Sequence, residues 1–351
     1  MENVGQAVVD RLYRTMMIDD EWSTRRDSEF TWWGYELAQR VAASPMRQSN
    51  AYRVSTVSAV TDLVTDTAPD RTLPIANELN RGTALSSYVI GKDGSTISAV
   101  TSAVFHSENL WMERLFSIAA ATQVAEAHAL SHAIAGMTGG KVAVSSHTLT
   151  GARAEPDDML GVIFGLPGRA EVVPFTAEEF AGSLEIGPAM WVRANADEHG
   201  ATVEYPWDPA NSSAGTVLLA VSEVDKEAES SRIHEGPYAE FLSNLHSTPA
   251  SMRYGSGLLF KLGLPVVAKG MTGMLVAAQL NALEAQSDVA FHRLGGWYGD
   301  DEGVWHTAFF PNVCFVPLNP RQRQITLYNL LSNCAAQVRW ASKTVRAGEG
   351  S

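Results

Sequence analysis

The stretch that most constrains this chain is a tight turn, Gly91-Lys92-Asp93-Gly94, set between two runs rich in β-formers, residues 86–90 and 96–105. An Asp-Gly pair supplies the positive φ that a short hairpin connection demands, so the two runs are predicted to pair antiparallel. A lone hairpin is marginal in water and must bury a face. The next segment supplies the cover: residues 109–135 contain neither Gly nor Pro and carry Leu110, Leu115, Ile118, Val124, Leu130 and Ile134 on an alanine-rich ground. That predicts one long helix able to lie close against a sheet, with Gly136 as its stop. Upstream, Pro69 and Pro74 bracket the start of a short helix holding Leu79-Asn80.

The remaining chain repeats this plan. Residues 4–17 place Val4, Val8, Leu12 and Tyr13 near one helical face. From Trp22 the pattern turns to strands, with Asp27-Ser28 as a turn and Phe30, Trp32, Tyr35, Leu37 and Val41 roughly alternating after it. Residues 52–64 form another extended run whose imperfect alternation predicts a bulge. A region rich in Gly, Pro and acids follows, in which only residues 159–164 (MLGVIF) read as a strand. Strands are then expected at 190–195, 202–207 and 216–224, with a turn at Glu198-His199-Gly200. Gln279-Leu280-Asn281 closes an apolar helix as Glu78-Leu79-Asn80 does earlier. A second hairpin (289–298 and 304–316 around Asp300-Asp301-Glu302-Gly303) and a second long helix (321–345) complete the copy. At 351 residues the chain exceeds what one core usually serves. The expected architecture is α+β: two related domains, each an antiparallel sheet packed against helices, at 1–138 and 187–346, with a connecting region at 139–186 and a tail at 347–351.

Charge narrows the partner classes. Residues 155–240 hold 17 acidic and 4 basic side chains, which accounts for the whole net charge of -13. With no sheath of cations, nucleic acid is a poor partner. This acidic segment reads as a solvated face or as a docking surface for a basic partner. The two cysteines, Cys314 and Cys334, are too few for a disulfide framework and have no metal-type spacing. The N-terminal residues lack the apolar core of a secretory signal. Residues 257–283 are apolar, but Lys261, Lys269, Pro265 and several glycines favour a buried hairpin or helix over a membrane span. A cytoplasmic protein is expected.

The elements ANELN (76–80), SSYVI (86–90), GKDG (91–94), TISAVTSAVF (96–105) and the helix from Asn109 together resemble the YbjN-like family, whose fold is that of type III secretion chaperones. The resemblance covers roughly residues 21–136 and, in degenerate form, 187–345. It implies a type III secretion chaperone-like α/β domain that binds protein, often as a dimer, without catalysis. Tandem pairs also look like the chaperone-type adaptors of specialised secretion. No functional residues carry over, because no active site defines the family.

His128 and His132 lie four apart on one helix face and would hold zinc if a third ligand came from elsewhere; otherwise they are polar residues where the helix leaves the sheet. No HExxH order is present, since Ala129 follows His128. The sequence 136–141 fails as a phosphate loop at Ala135 and Val142. Cys314, among Val313, Phe315 and Val316, reads as an inert buried strand thiol. Neighbouring strand residues point to opposite faces, so one of Trp32 and Trp33 leaves the inner layer, either covered by another segment or exposed as a partner anchor. Trp297, Tyr298 and Trp305 are further candidate contacts. The expected function is a non-enzymatic protein-binding adaptor or chaperone with no cofactor and no membrane span, its partner a secreted substrate, an assembly subunit or a second copy. The alternative is a small-molecule or metal-binding sensor or enzyme with a pocket between the domains, lined by the glycines of 255–273.

Overall fold

The computed structural model describes residues 3–47, 49–63, 69–169, 201–204, 215–221, 238–243, 257–264, 268–315 and 318–349. The chain divides into two compact units, Met1–Leu166 with Ala277–Tyr298, and Pro167–Val276 with Gly299–Ser351. The segment carrying Gln279-Leu280-Asn281 thus packs with the first unit. In class the protein is α+β, with antiparallel sheets packed against helices.

The first unit opens with helix α1 (Val4–Thr15), capped by the Asn3 side chain, which accepts the Gln6 N–H at 3.1 Å. Strands β1 (Ser23–Arg26), β2 (Glu29–Trp33), β3 (Ala38–Pro45) and β4 (Tyr52–Asp62) follow. Then come α2 (Pro69–Gly82), β5 (Ser87–Ile90), β6 (Thr96–Phe105), α3 (Met112–Thr138), β7 (Lys141–Val142) and α4 (Asp158–Arg169). The sheet order is β1-β2-β3-β4-β6-β5, with β7 added beside β4. The hairpin turn forms as expected, with Gly94 at φ 68° and the Gly91 N–H donating to the Thr96 carbonyl at 2.9 Å. The bulge in β4 falls between Ala59 and Thr61.

Helices α1 and α3 pack on one face of this sheet. On that inner face lie Val54, Thr56, Ser58 and Val60, all fully buried, while Val57 and Ala59 between them are exposed. A polar knot ties the layers together. The Gln39 amide donates to Thr56 Oγ1 (2.7 Å), Gln123 Oε1 (2.9 Å) and the Ala120 carbonyl (2.9 Å), and Gln123 donates to the Ala99 carbonyl (3.0 Å). The NH2 of Gln39 and both ends of the Gln123 amide are thereby partnered in the buried layer.

Two local expectations are corrected. Gly136 does not stop α3; the helix runs to Thr138 and ends at Gly139, whose φ of 73° is the left-handed geometry of a C-terminal glycine. Residues 159–164 are not a strand but the body of α4. Leu160 and Ile163 are buried three apart while Gly161 and Val162 are exposed, and Asp157 Oδ1 accepts the Met159 N–H at 2.8 Å. A short apolar run fits both templates, and the preceding cap decides it.

The helix α5 (Gly270–Gln286), strand β12 (Gly296–Gly299) and the loop between them bring the second Leu-Asn into the first unit. Asn80 and Asn281 make the same pair of bonds. Asn80 accepts the Tyr88 N–H (2.7 Å) and donates to the Tyr88 carbonyl (2.9 Å); Asn281 treats Trp297 likewise at 2.9 and 2.8 Å. Each amide completes the backbone bonding of one strand residue on its free edge. Beside Asn281, the Arg293 guanidinium lies 3.5 Å from the Glu284 carboxylate, both fully buried, and donates to Ser87 Oγ and the Asn281 carbonyl. Trp297 Nε1 donates to Glu284 at 2.7 Å. Burial lowers the Arg293 pKa to about 10, against the pull of Glu284, so the side chain stays charged at neutral pH.

The second unit contains β8 (Ala201–Glu204), β9 (Gly215–Val221), β10 (Tyr238–Ser243), β11 (Gly257–Leu264), β13 (Val304–Pro311) and α6 (Pro320–Glu349). Its sheet has the order β13-β11-β10-β9-β8. α6 packs on β11. Glycines set the close approaches: a Cβ on Gly299 would meet Gly273 backbone at 2.2 Å, and one on Gly263 would meet the Trp305 ring at 2.9 Å. Gly263 and Gly273 thus serve close packing within this unit. Residues 289–295 form no strand beyond a single bridge at Arg293; the strand is Gly296–Gly299, followed by the Asp300–Gly303 turn with its 2.9 Å bond. Cys314 lies in a 3-10 turn (Asn312–Cys314), not in a strand, and is buried. The expected strand at 190–195, the turn at 198–200 and most of the acidic segment lie outside the described residues.

Replacing Asn80 or Asn281 by Ala leaves a buried N–H and carbonyl of the strand without partners. Each substitution is expected to lower stability by roughly 2–4 kcal/mol. Urea unfolding measures it, and a loss below about 0.5 kcal/mol would contradict the pinning role.

Candidate functional site

The outer face of the first sheet is exposed only in part. Its residues follow from register: Thr24, Thr31, Arg40, Val57 and Val100 stand in one cross-strand row, and Arg26, Glu29, Ala42, Ser55 and Ser102 in the next. Two segments cover its ends. At the β6 end, Val100, Ser102 and Val104 are buried. There Arg293 exchanges backbone bonds with Ser102, and the Arg53 guanidinium donates to the carbonyls of Ser287 and Val289. At the β2 end, a strap of residues 143–157 lies over Trp33. Between them Arg40, Val57 and Ala59 are exposed, and Thr31, Ala42, Ser55 and Ser98 are half-buried. Val57 is 36% exposed at the centre of this window. On the rim, Arg40 pairs with Glu29 at 2.6 Å, which holds the Glu29 carboxyl below its ordinary range.

The aromatic candidates sit differently from an exposed anchor. Trp32 faces the inner layer and is fully buried. Trp33 faces outward but is covered: its Nε1 donates to Ser145 Oγ (3.0 Å), its carbonyl accepts from Arg153 (3.1 Å), and the His147 ring meets it edge-on at 4.8 Å. Of the two alternatives for this pair, coverage by another segment is what the fold adopts. Trp297 is buried against Glu284, and Tyr298 is buried with Arg81 stacked 5.8 Å from its ring centre. All four rings are buried. Trp305 is half-buried, with Nε1 donating to Asp300 at 2.9 Å.

His128 is half-buried and bonded through both ring nitrogens. Nε2 accepts the Leu37 N–H (3.3 Å), which leaves the proton on Nδ1 to be donated to the Val124 carbonyl (2.9 Å). No lone pair remains for a metal. His132 is exposed and pairs through Nε2 with Glu36 at 2.8 Å. Among the described residues no group of three His, Cys, Asp or Glu is placed to hold a metal ion. The helix spacing brought both histidines to the same bend of the sheet, and backbone groups took the nitrogen that zinc would need. The window residues were missed because alternation assigns faces without saying which face is covered.

No protein-family model matches this chain. No curated protein matches it. Among solved structures, the chain aligns with the crystal structure of the di-domain ARO/CYC StfQ from the steffimycin biosynthetic pathway. That alignment has 12% identity over 99% of this chain and 97% of that one, with a TM-score of 0.15, too low to indicate a shared fold. Among the described residues no helix is long and apolar enough to cross a membrane.

Burial lowers the His128 pKa, so the folded chain holds this ring neutral where the unfolded chain protonates it. Its contribution to stability is complete above about pH 6.5 and declines as the pH falls below that value. Urea unfolding between about pH 7.5 and 5 is expected to show stability falling with pH, and His128→Leu is expected to flatten part of that slope. An unchanged slope would place the titration elsewhere.

Proposed function

We propose that this chain is a non-enzymatic adaptor that binds another protein across the outer face of its first sheet. The observation that carries the reading is the window around Val57: small and apolar side chains, exposed or half-buried on a pleated surface, rimmed by the Arg40–Glu29 pair. A sheet held rigid by helices on one side offers a preorganised platform on the other, which reduces the ordering cost of association. The finer fold reading belongs to the same proposal: two related domains of the type III secretion chaperone kind, supported by the matching asparagine pins at Asn80 and Asn281. Within it, Trp33 is a support for the strap, and the partner is a secreted substrate or an assembly subunit bound in the cytoplasm.

The test is a native pull-down with quantitative mass spectrometry, run in parallel with wild type and Val57→Arg. Val57 is exposed, so the variant is expected to unfold within about 0.5 kcal/mol of wild type. It is expected to lose a stoichiometric protein that wild type retains. Equal recovery of every protein by both chains would end the sheet-face reading.

A further inference from the structure

Beyond the window, one element is built to present a single side chain. Residues 147–151 form a minimal hairpin in the strap, closed by His147 N–H to the Gly151 carbonyl (2.8 Å) and Gly151 N–H to the His147 carbonyl (2.9 Å). The His147 ring folds back beneath it. Its Nδ1 lone pair faces the Thr150 hydroxyl (2.8 Å) and is shared with the N–H groups of Thr150 (3.2 Å) and Leu149 (3.4 Å). Gly151 takes φ 83°, open to glycine at little cost.

The stem is fixed as firmly. Ser145 N–H donates to the Glu36 carbonyl and Asp157 N–H to the Gly34 carbonyl, both at 2.8 Å, and Arg153 pairs with Asp157 at 3.0 Å while stacking 5.3 Å from the Trp22 ring centre. His147 is buried between the edges of Trp22 and Trp33. At the tip of this framework Leu149 is 89% exposed, the most exposed large apolar side chain among the described residues, and Val144 on the stem is 60% exposed.

An exposed leucine on a mobile loop means little. A leucine whose backbone is fixed by three ring contacts and two closing bonds has already lost the freedom that binding would otherwise remove. No charged residue lies between Lys141 and Arg153; hydroxyls at Ser146, Thr148 and Thr150 surround the tip. The geometry points to the 147–151 hairpin as a docking prong whose Leu149 enters a neutral, leucine-sized apolar socket on a partner protein. This rests on the protein-binding reading above but not on the sheet face. Because the prong carries no charge, its contribution is independent of salt. A bilayer is the poorer occupant, since burying one leucine yields too little to hold a protein on a membrane without flanking basic or aromatic residues.

The experiment places a benzophenone photocrosslinking side chain at position 149, and in separate chains at 57 and 24, in native lysate. The protein joined at 149 is identified, purified and titrated with the unlabelled full chain. Leu149→Asp is expected to weaken binding roughly 10- to 100-fold, with Leu149→Met within about threefold of wild type. Affinity is expected to change less than about threefold between ~0.05 and ~0.5 M salt. Unfolding midpoints should not move, because the side chain stands in solvent. A discrete adduct at 57 with none at 149 above the level at 24 would overturn the prong and leave the adaptor reading standing. No adduct at either site would overturn both. An adduct joining two copies of this chain, binding only to vesicles, or equal affinity of Leu149→Asp would each overturn the proposed partner.

Discussion

An antiparallel sheet has two faces, and on one of them this chain lays α1 and α3. The remainder of the first unit follows from that asymmetry. Residues 54, 56, 58 and 60 must be acceptable to α1 and α3, while 55, 57 and 59 answer to solvent or to whatever else arrives. The inner layer is not purely apolar. Its Gln39–Thr56–Gln123 knot fixes α3 over β3, β4 and β6 through directional bonds, which apolar packing alone would leave free to slide. Fixing the inner layer makes the outer face a rigid surface.

What lies on that outer face is decided by two distant pieces of chain. The strap after α3 folds back over Trp33, and the loop after α5 reaches Ser102 and Arg53. The latter is held by the buried Arg293–Glu284 pair. Removing either partner would leave an uncompensated buried charge, so the pair locks the segment in one arrangement even if its net stabilisation is small. The same economy of means recurs at the asparagines: a short polar side chain after a leucine satisfies a strand edge twice in one chain.

The elements legible in the sequence were those whose signals are local. The Asp-Gly turn located β6 to the residue, and the broken alternation located the bulge in β4. Where a signal was ambiguous over short range, the outcome depended on neighbours. MLGVIF became helical once Asp157 capped it, α3 ran past Gly136 to the left-handed Gly139, and residues 289–295 lost their strand. The aromatic residues were legible as important but not as covered, since composition carries no information about which segment returns to bury a ring. The prong was invisible for the same reason: Leu149 in HTLTG looks like any loop residue until His147 is seen beneath it.

By itself, the sequence determined the α+β class, the first hairpin and its covering helix, and the paired Leu-Asn helices, because turn chemistry and periodicity act within a few residues. Only the tertiary structure decided that His128 is bonded through both ring nitrogens, that Trp33 lies under a strap, and that Val57 and Leu149 stand exposed. Burial and hydrogen-bond partnership are properties of groups far apart along the chain, and no local pattern encodes them.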